Sequence, residues 1–183
     1  WSVLNAREAG VEWFAVASIE EGIQVKQEFK ESRVLLLAEP SVGQLDNILK
    51  NDLDLTVYSD TFINALIGKN SQYNVHLKID TGMHRIGCSP EKFNYFHEKI
   101  NSSNLNLAGI CTHFPLADIY KGETQKSIDL FKNTISNVDI DNLLCHVDNS
   151  ASTFYNLDES FNMVRIGIAA YGIEISPVES LNK

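Results

Sequence analysis

Apolar and polar positions along this chain follow two periods in turn. Short apolar runs of strand length recur at Trp13–Ala17, Arg33–Ala38, Leu53–Tyr58, Val75–Asp80, Leu105–Phe114, Leu143–Asn149 and Met163–Tyr171. Several are apolar on both faces, as buried parallel strands are. Between them lie stretches with helical spacing. Val3, Leu4 and Ala6 precede a capping Gly10. Ser18-Ile19-Glu20-Glu21 spells a capping box for a helix running to about Lys30. Val42, Leu45, Ile48 and Leu49 share one side of the next helix, and Asp60–Lys69 forms another. Ser89-Pro90-Glu91 is an N-cap with proline at the first helical position, opening a helix with Phe93, Phe96, His97 and Ile100 on its apolar face. A polar loop after Phe114 leads to a helix carrying Ile128, Phe131 and Ile135. Strands alternating with helices imply right-handed parallel crossovers, hence an α/β fold. Seven strands are one short of a (β/α)8 TIM-type barrel. The chain opens at Trp1 inside a helical pattern, so the expectation is an incomplete barrel whose first strand is missing. Residues 1–174 would form that barrel. The pattern fades at Ile175-Ser176-Pro177, so 175–183 would begin a linker to an absent domain.

Polar residues interrupt the strands in a telling way. Val75, Leu77 and Ile79 alternate with His76, Lys78 and Asp80. In a parallel barrel the apolar set packs on the surrounding helices, and the other set points into the lumen. Gly82 permits the turn that follows, and Arg85 lies within reach of the same strand end. On the last strand Arg165 and Gly167 alternate with Val164, Ile166 and Ile168. A buried arginine needs a partner or a ligand, and phosphate sites in such barrels lie after the last two strands. The sixth strand ends in Asp148-Asn149-Ser150 and the fifth in Thr112-His113-Phe114. Taken singly, His113 reads as a satisfied core histidine and Ser150 as a helix N-cap. Taken together these polar ends meet on one rim and indicate a phosphorylated ligand.

Composition narrows the classes. Among 183 residues 44% are hydrophobic and 21% charged, an ordinary globular profile. The net charge of -9, with no cluster of lysines and arginines, argues against a nucleic-acid surface. No apolar run approaches a membrane span and no signal peptide is visible. Cys88, Cys111 and Cys145 are far apart, odd in number and set in apolar surroundings, so they read as reduced buried thiols rather than disulfides or metal ligands. A cytoplasmic location is expected, with no metal.

Four motifs then align in order with one family. K-I-D-T-G-M-H-R-I-G at Lys78–Gly87 resembles the signature of bacterial alanine racemases, which use pyridoxal 5'-phosphate (PLP). T-H-F-P-L-A-D at Thr112–Asp118, N-S-A at Asn149–Ala151 and V-R-I-G-I-A-A-Y-G at Val164–Gly172 are similar to later family motifs. F-A-V-A at Phe14–Ala17, followed by Glu20-Glu21-Gly22, fits as well. The resemblance implies a PLP-binding eight-stranded barrel that racemises alanine, supplying D-alanine for peptidoglycan, and that works as a homodimer with a β-rich C-terminal domain. It also implies roles. Arg165 would face the pyridine nitrogen of the cofactor. Ser150, Gly167 and Ile168, beside Asn149, would bind the phosphate. His113 would pack near the ring and orient Arg165. Arg85 would contact the cofactor's phenolic oxygen and the substrate carboxylate. Lys78 matches a position often carbamylated in the family, where it would hold Arg85.

The chain also departs from that pattern. His84 stands where a small residue or asparagine is usual, and Asp148 replaces a small residue. The family's covalent cofactor lysine belongs to an A-V-V-K-type strand with no counterpart here, and Lys78 does not replace it, because its D-T-G-M-x-R context marks the other role. The second base, a tyrosine of the partner's C-terminal domain, has no counterpart either, so the fragment alone is expected to be inactive. A serine or broad-specificity racemase of the same fold, and a non-catalytic PLP-binding barrel, stay open as alternatives.

Overall fold

The computed structural model describes residues 2–115, 117, 121–154 and 161–173. In chain order the elements are α1 (Ser2–Glu8), β1 (Trp13–Val16), α2 (Ile19–Glu28), β2 (Arg33–Leu36), α3 (Leu45–Lys50), β3 (Asp54–Val57), α4 (Asp60–Gly68), β4 (Asn74–Lys78), α5 (Phe93–Asn101), β5 (Asn106–Cys111), α6 (Lys121–Ile135), β6 (Leu144–His146) and α7 (Ser150–Phe154). The strands form one six-stranded sheet in the order β1-β2-β3-β4-β5-β6, the parallel, sequential order of an incomplete α/β barrel. Residues 2–76 with 98–107 form one compact unit, and 77–97 with the described part of 108–173 form another. The expected linker, 175–183, lies outside the described residues. Among the described residues no helix is long and apolar enough to cross a membrane.

In the first unit local signals set the elements and apolar burial holds them. Ser18 caps α2 with both bonds of the capping box, Glu21 N to Ser18 Oγ and Ser18 N to Glu21 Oε2, each 3.2 Å. Ser59 caps α4 by accepting from Phe62 N, while Glu39 takes the Tyr58 and Ser59 amides at 2.6 and 2.7 Å. Val34, Leu35 and Leu36 of β2 meet Leu55 and Val57 of β3, all 2% exposed or less. Each such side chain contributes about 1.5–3 kcal/mol on burial, which makes this packing the main support of the unit. A polar seam crosses the strand starts. Arg33 meets the buried Asp54 at 2.6 Å, Asn74 bonds Asp54 at 3.1 Å, and Asn106 bonds Asn74 at 2.8 Å. Burying the Asp54 carboxylate is tolerable because this seam pairs it.

In the second unit Ile128 and Phe131 of α6 are fully buried, as are Ile110 of β5 and, at 1% exposure, Cys145 of β6. A short 3-10 turn at Pro90–Lys92 leads into α5, whose Phe93 and Phe96 are buried as its period requires.

The last expected strand, Met163–Tyr171, is corrected. It shrinks to one bridge, Met163 with His146, after which the chain leaves the sheet and closes in a 3-10 turn over Ile168–Tyr171. Arg165 N bonds the Asp148 carbonyl and Gly167 N bonds Ser150 Oγ, so these amides go to strand ends rather than to a ladder. Val164, Ile166 and Ile168 are therefore about half exposed instead of packed beneath a helix.

Candidate functional site

The second unit gathers the polar strand ends. Lys78 lies at the end of β4 and is 8% exposed, while Leu77 and Ile79 beside it are fully buried. The strand alternation thus delivers a buried amine, as the sequence predicts. Beyond it the chain folds back: Cys88 N bonds the Lys78 carbonyl at 2.9 Å, and Asp80 N bonds the Cys88 carbonyl at 2.8 Å. Asp80 Oδ1 accepts from Gly82 N and His84 N, both at 3.0 Å, an Asx-type closure. Two backbone positions make the loop possible. Gly82 has φ +132°, and Gly87 has φ +135° where a Cβ would collide with the Asp80 backbone. His84 adopts φ +53°, which explains why asparagine or a small residue suits that position: few side chains accept the left-handed region. Its ring is exposed, with Nδ1 3.7 Å from the Asp80 carboxylate.

Lys78, Asp80, Met83, Arg85, Thr112 and His113 line one narrow cleft. Among the described residues neither Lys78 nor Arg85 has a carboxylate within ion-pair distance. Burial lowers the Lys78 amine, Arg165 and Arg85 lower it further, and the Asp80 carboxylate opposes them weakly. Cys111 could oppose this only as a thiolate. Burial holds its thiol well above the usual range, so near neutrality it is uncharged. Lys78 and Arg85 thus face one lining carboxylate, Asp80, already engaged by the Gly82 and His84 amides, and the cleft suits a further carboxylate or a carbamate.

Arg165 is the best-held group of the site. Nη1 donates to the His146 carbonyl and to His146 Nδ1, both at 2.6 Å. Nη2 donates to the Thr112 carbonyl at 2.7 Å, to the Val147 carbonyl at 3.2 Å and to His113 Nδ1 at 3.4 Å. His146 is thus the nearer orienting imidazole, which the sequence reading missed. Its signal was present, an inward position at the end of β6 two residues before Asp148. Asp148 is buried at 3% exposure and sets a negative charge against Arg165, which gives that departure a role.

His113 sits at about pKa 4, because burial disfavours its charged form and Arg165, Lys78 and Arg85 repel it. A neutral imidazole with a free Nδ1 lone pair accepts from Arg165; an imidazolium would not. Between about pH 4 and the ordinary 6.5 the unfolded chain binds a proton that the folded chain does not. This contribution to stability is complete above pH 6.5 and is lost as the pH falls towards 4. An NMR titration should leave the His113 ring neutral down to pH 5 or lower; a midpoint at its ordinary value would contradict the geometry.

Ser150 does not cap α7. Asn149 does, with Oδ1 accepting from Ala151 and Ser152 amides at 3.1 Å each. That frees Ser150 Oγ to accept from Gly167 N at 2.9 Å and, more weakly, from Ala169 N at 3.4 Å. A hydroxyl and a cluster of amides at the start of a helical turn form a corner with the donor set for phosphate oxygens. Gly167 keeps that corner open, since a Cβ there would meet nothing nearer than Ser150 Oγ at 3.9 Å.

The cysteines behave as expected. All three are buried and free, with burial pushing the Cys88 thiol up to about 12 and the Cys145 thiol up to about 11. Such thiols are inert at neutral pH.

These features have parallels in known proteins. The alanine racemase from Treponema denticola is 38% identical over 95% of this chain and 48% of its own length. That from Halothermothrix orenii is 35% identical over 92% of the chain and 47% of its own length. The chain thus spans about half the length of the curated relatives it matches. Among solved structures, the alanine racemase of Clostridium difficile 630 in complex with cycloserine superimposes with a TM-score of 0.87 at 30% identity, over 96% of this chain and 51% of that one. The alanine racemase from E. faecalis gives a TM-score of 0.87 at 29% identity, over 94% of this chain and 50% of that one. The family model for the alanine racemase N-terminal domain matches residues 2–175, and with the strand-end residues standing in that order the chain belongs to the alanine racemase N-terminal domain family.

Proposed function

We propose that this chain is the incomplete barrel, residues 1–174, of a PLP-dependent alanine racemase that interconverts L- and D-alanine in the cytoplasm for peptidoglycan, working as a homodimer. The observation that carries the reading is a half-buried cation, Arg165, held by two imidazoles and three carbonyls, two residues before the Gly167 that meets Ser150. One end of this site suits an aromatic nitrogen acceptor and the other a phosphate, the two ends of PLP.

The donor set fits that cofactor. Ser150 and the amides of Gly167 and Ile168 would take the phosphate, with Asn149 fixing Ser150 at the head of α7. When bound, PLP supplies an electron-withdrawing ring that acidifies the α-proton of an attached amino acid. Arg165, a cation that does not give up its proton, would keep the ring nitrogen unprotonated and so limit that withdrawal, which favours return of the proton over side reactions. His113, a neutral imidazole, would stand near the ring. Arg85 would bind the substrate carboxylate, and Lys78, once carbamylated, would give Arg85 an anionic partner. The two proton-moving groups, a lysine and the partner subunit's tyrosine, are not among the residues of this chain.

Turnover of L-alanine coupled to a D-amino-acid oxidase tests the reading. A full-length protein carrying this chain should turn over alanine in preference to serine, and the 183-residue chain alone should not. A full-length protein without alanine turnover would reject the proposal.

The carbamate has its own test. Carbamylation needs a neutral amine, and Lys78 is lowered towards neutrality by burial and by the two arginines. With 13C-bicarbonate at a pH above neutrality, the full-length protein should show a carbamate carbon signal that Lys78→Arg abolishes. A density map with an unmodified Lys78 under those conditions would count against it.

A further inference from the structure

Arg85 lies on an exposed rim, yet the loop that carries it is tied down by buried groups of two other elements. Ser127, in the middle of α6 and 3% exposed, donates its hydroxyl to the Thr81 carbonyl at 2.8 Å. Thr81 Oγ1 pairs with Thr112 Oγ1, just past β5, also at 2.8 Å, and both threonines are buried. The usual behaviour of a hydroxyl inside a helix is different: it bonds back to the carbonyl four residues earlier. Thr134 of the same helix does so, to the Leu130 carbonyl at 2.7 Å. Ser127 instead reaches a carbonyl 46 residues away in sequence. The fit is mutual, because a Cβ on Gly82 would stand 3.3 Å from Ser127 Oγ.

We propose that Ser127 is a positioning residue for Arg85, acting through the Thr81 carbonyl, with the Thr81–Thr112 hydroxyl pair as the second tie. Asp80 closes the loop on itself through the Gly82 and His84 amides, so without outside anchors the closed loop could tilt as a body. Ser127 and Thr112 supply those anchors from a helix and a strand end. The inference rests on the reading of Arg85 as the substrate-carboxylate ligand, but the anchoring is measurable apart from it.

Two measurements on the full-length protein carrying the chain test it, using Ser127→Ala, Ser127→Thr, Thr112→Val and Thr112→Ser. The first is amide hydrogen exchange at Asp80 and Cys88, whose amide bonds hold the base of the loop to the end of β4, and it needs no assumption about activity. Exchange should quicken about fivefold to tenfold in Ser127→Ala and Thr112→Val, the size expected for one buried hydrogen bond, and return towards wild type in the hydroxyl-keeping variants. Unchanged exchange would overturn the proposal. The second is steady-state kinetics with alanine. Ser127→Ala should raise KM about fivefold to tenfold with kcat and retained PLP little changed, and Ser127→Thr should restore it. A KM rise that Ser127→Thr does not rescue, or equal losses in kcat and PLP, would mean a general packing role and would overturn the proposal too. If the wild-type protein lacks racemase activity, the racemase reading falls, and hydrogen exchange alone still decides the anchoring.

Discussion

Replacing Arg165 with alanine is expected to destabilise the fold by about 3 kcal/mol or more, because the buried carbonyls of His146, Thr112 and Val147 lose their donor. Each orphaned buried acceptor costs about 1–3 kcal/mol, while removing the desolvation penalty of the guanidinium returns part of that sum. Three acceptors against one cation leave a clear net loss. The imidazole of His146, 2.6 Å from the guanidinium, loses its partner as well. Arg165→Lys keeps a charge but not the fork, since an ammonium cannot span acceptors that approach two separate nitrogens. It should fold, bind PLP and turn over about tenfold or more slowly, through loss of a preorganised charge at the ring nitrogen. Urea unfolding and coupled kinetics on the full-length protein read both effects. An alanine variant with an unchanged unfolding midpoint would show that the carbonyls do not depend on Arg165.

Gly87→Ala should be almost as damaging, for a steric reason. An added Cβ would stand 2.6 Å from Asp80 N and 2.9 Å from Ile79 C, both backbone atoms, at φ +135°. Neither neighbour can rotate away. Relief requires moving the backbone and breaking the bonds that join Lys78, Asp80 and Cys88. The expected loss is about 3 kcal/mol, strain and overpacking combined, with a raised KM because Arg85 moves with the loop. Gly10→Ala is the control. Its φ is also positive, +88°, but nothing lies within 4 Å of the new Cβ, so only the conformational penalty of about 1–2 kcal/mol remains. If the two variants unfolded at the same denaturant concentration, close approach at Gly87 would not be what the glycine is there for.

The order and kind of elements were determined by the sequence itself, because the signals are local. Short apolar runs of strand length mark β1 to β6, the capping box at Ser18 starts α2, and Ser89-Pro90 starts the turn before α5. The inward placement of Lys78 and the convergence of His113, Ser150 and Gly167 with Arg165 followed from alternation along strands whose ends meet in any parallel barrel. What pairs with what was decided only by the tertiary structure. That Asn149 rather than Ser150 caps α7 depends on which oxygen Gly167, 17 residues on, competes for. The last run left the sheet after Met163 because its amides found the Asp148 carbonyl and the Ser150 hydroxyl, partners that no periodicity encodes. His146 as the imidazole nearest Arg165, and Ser127 as the anchor of the Arg85 loop, lie 19 and 46 residues from the groups they hold. A pattern along the chain reports which face a side chain takes; it does not report the distance between two faces, and hydrogen bonds depend on that distance.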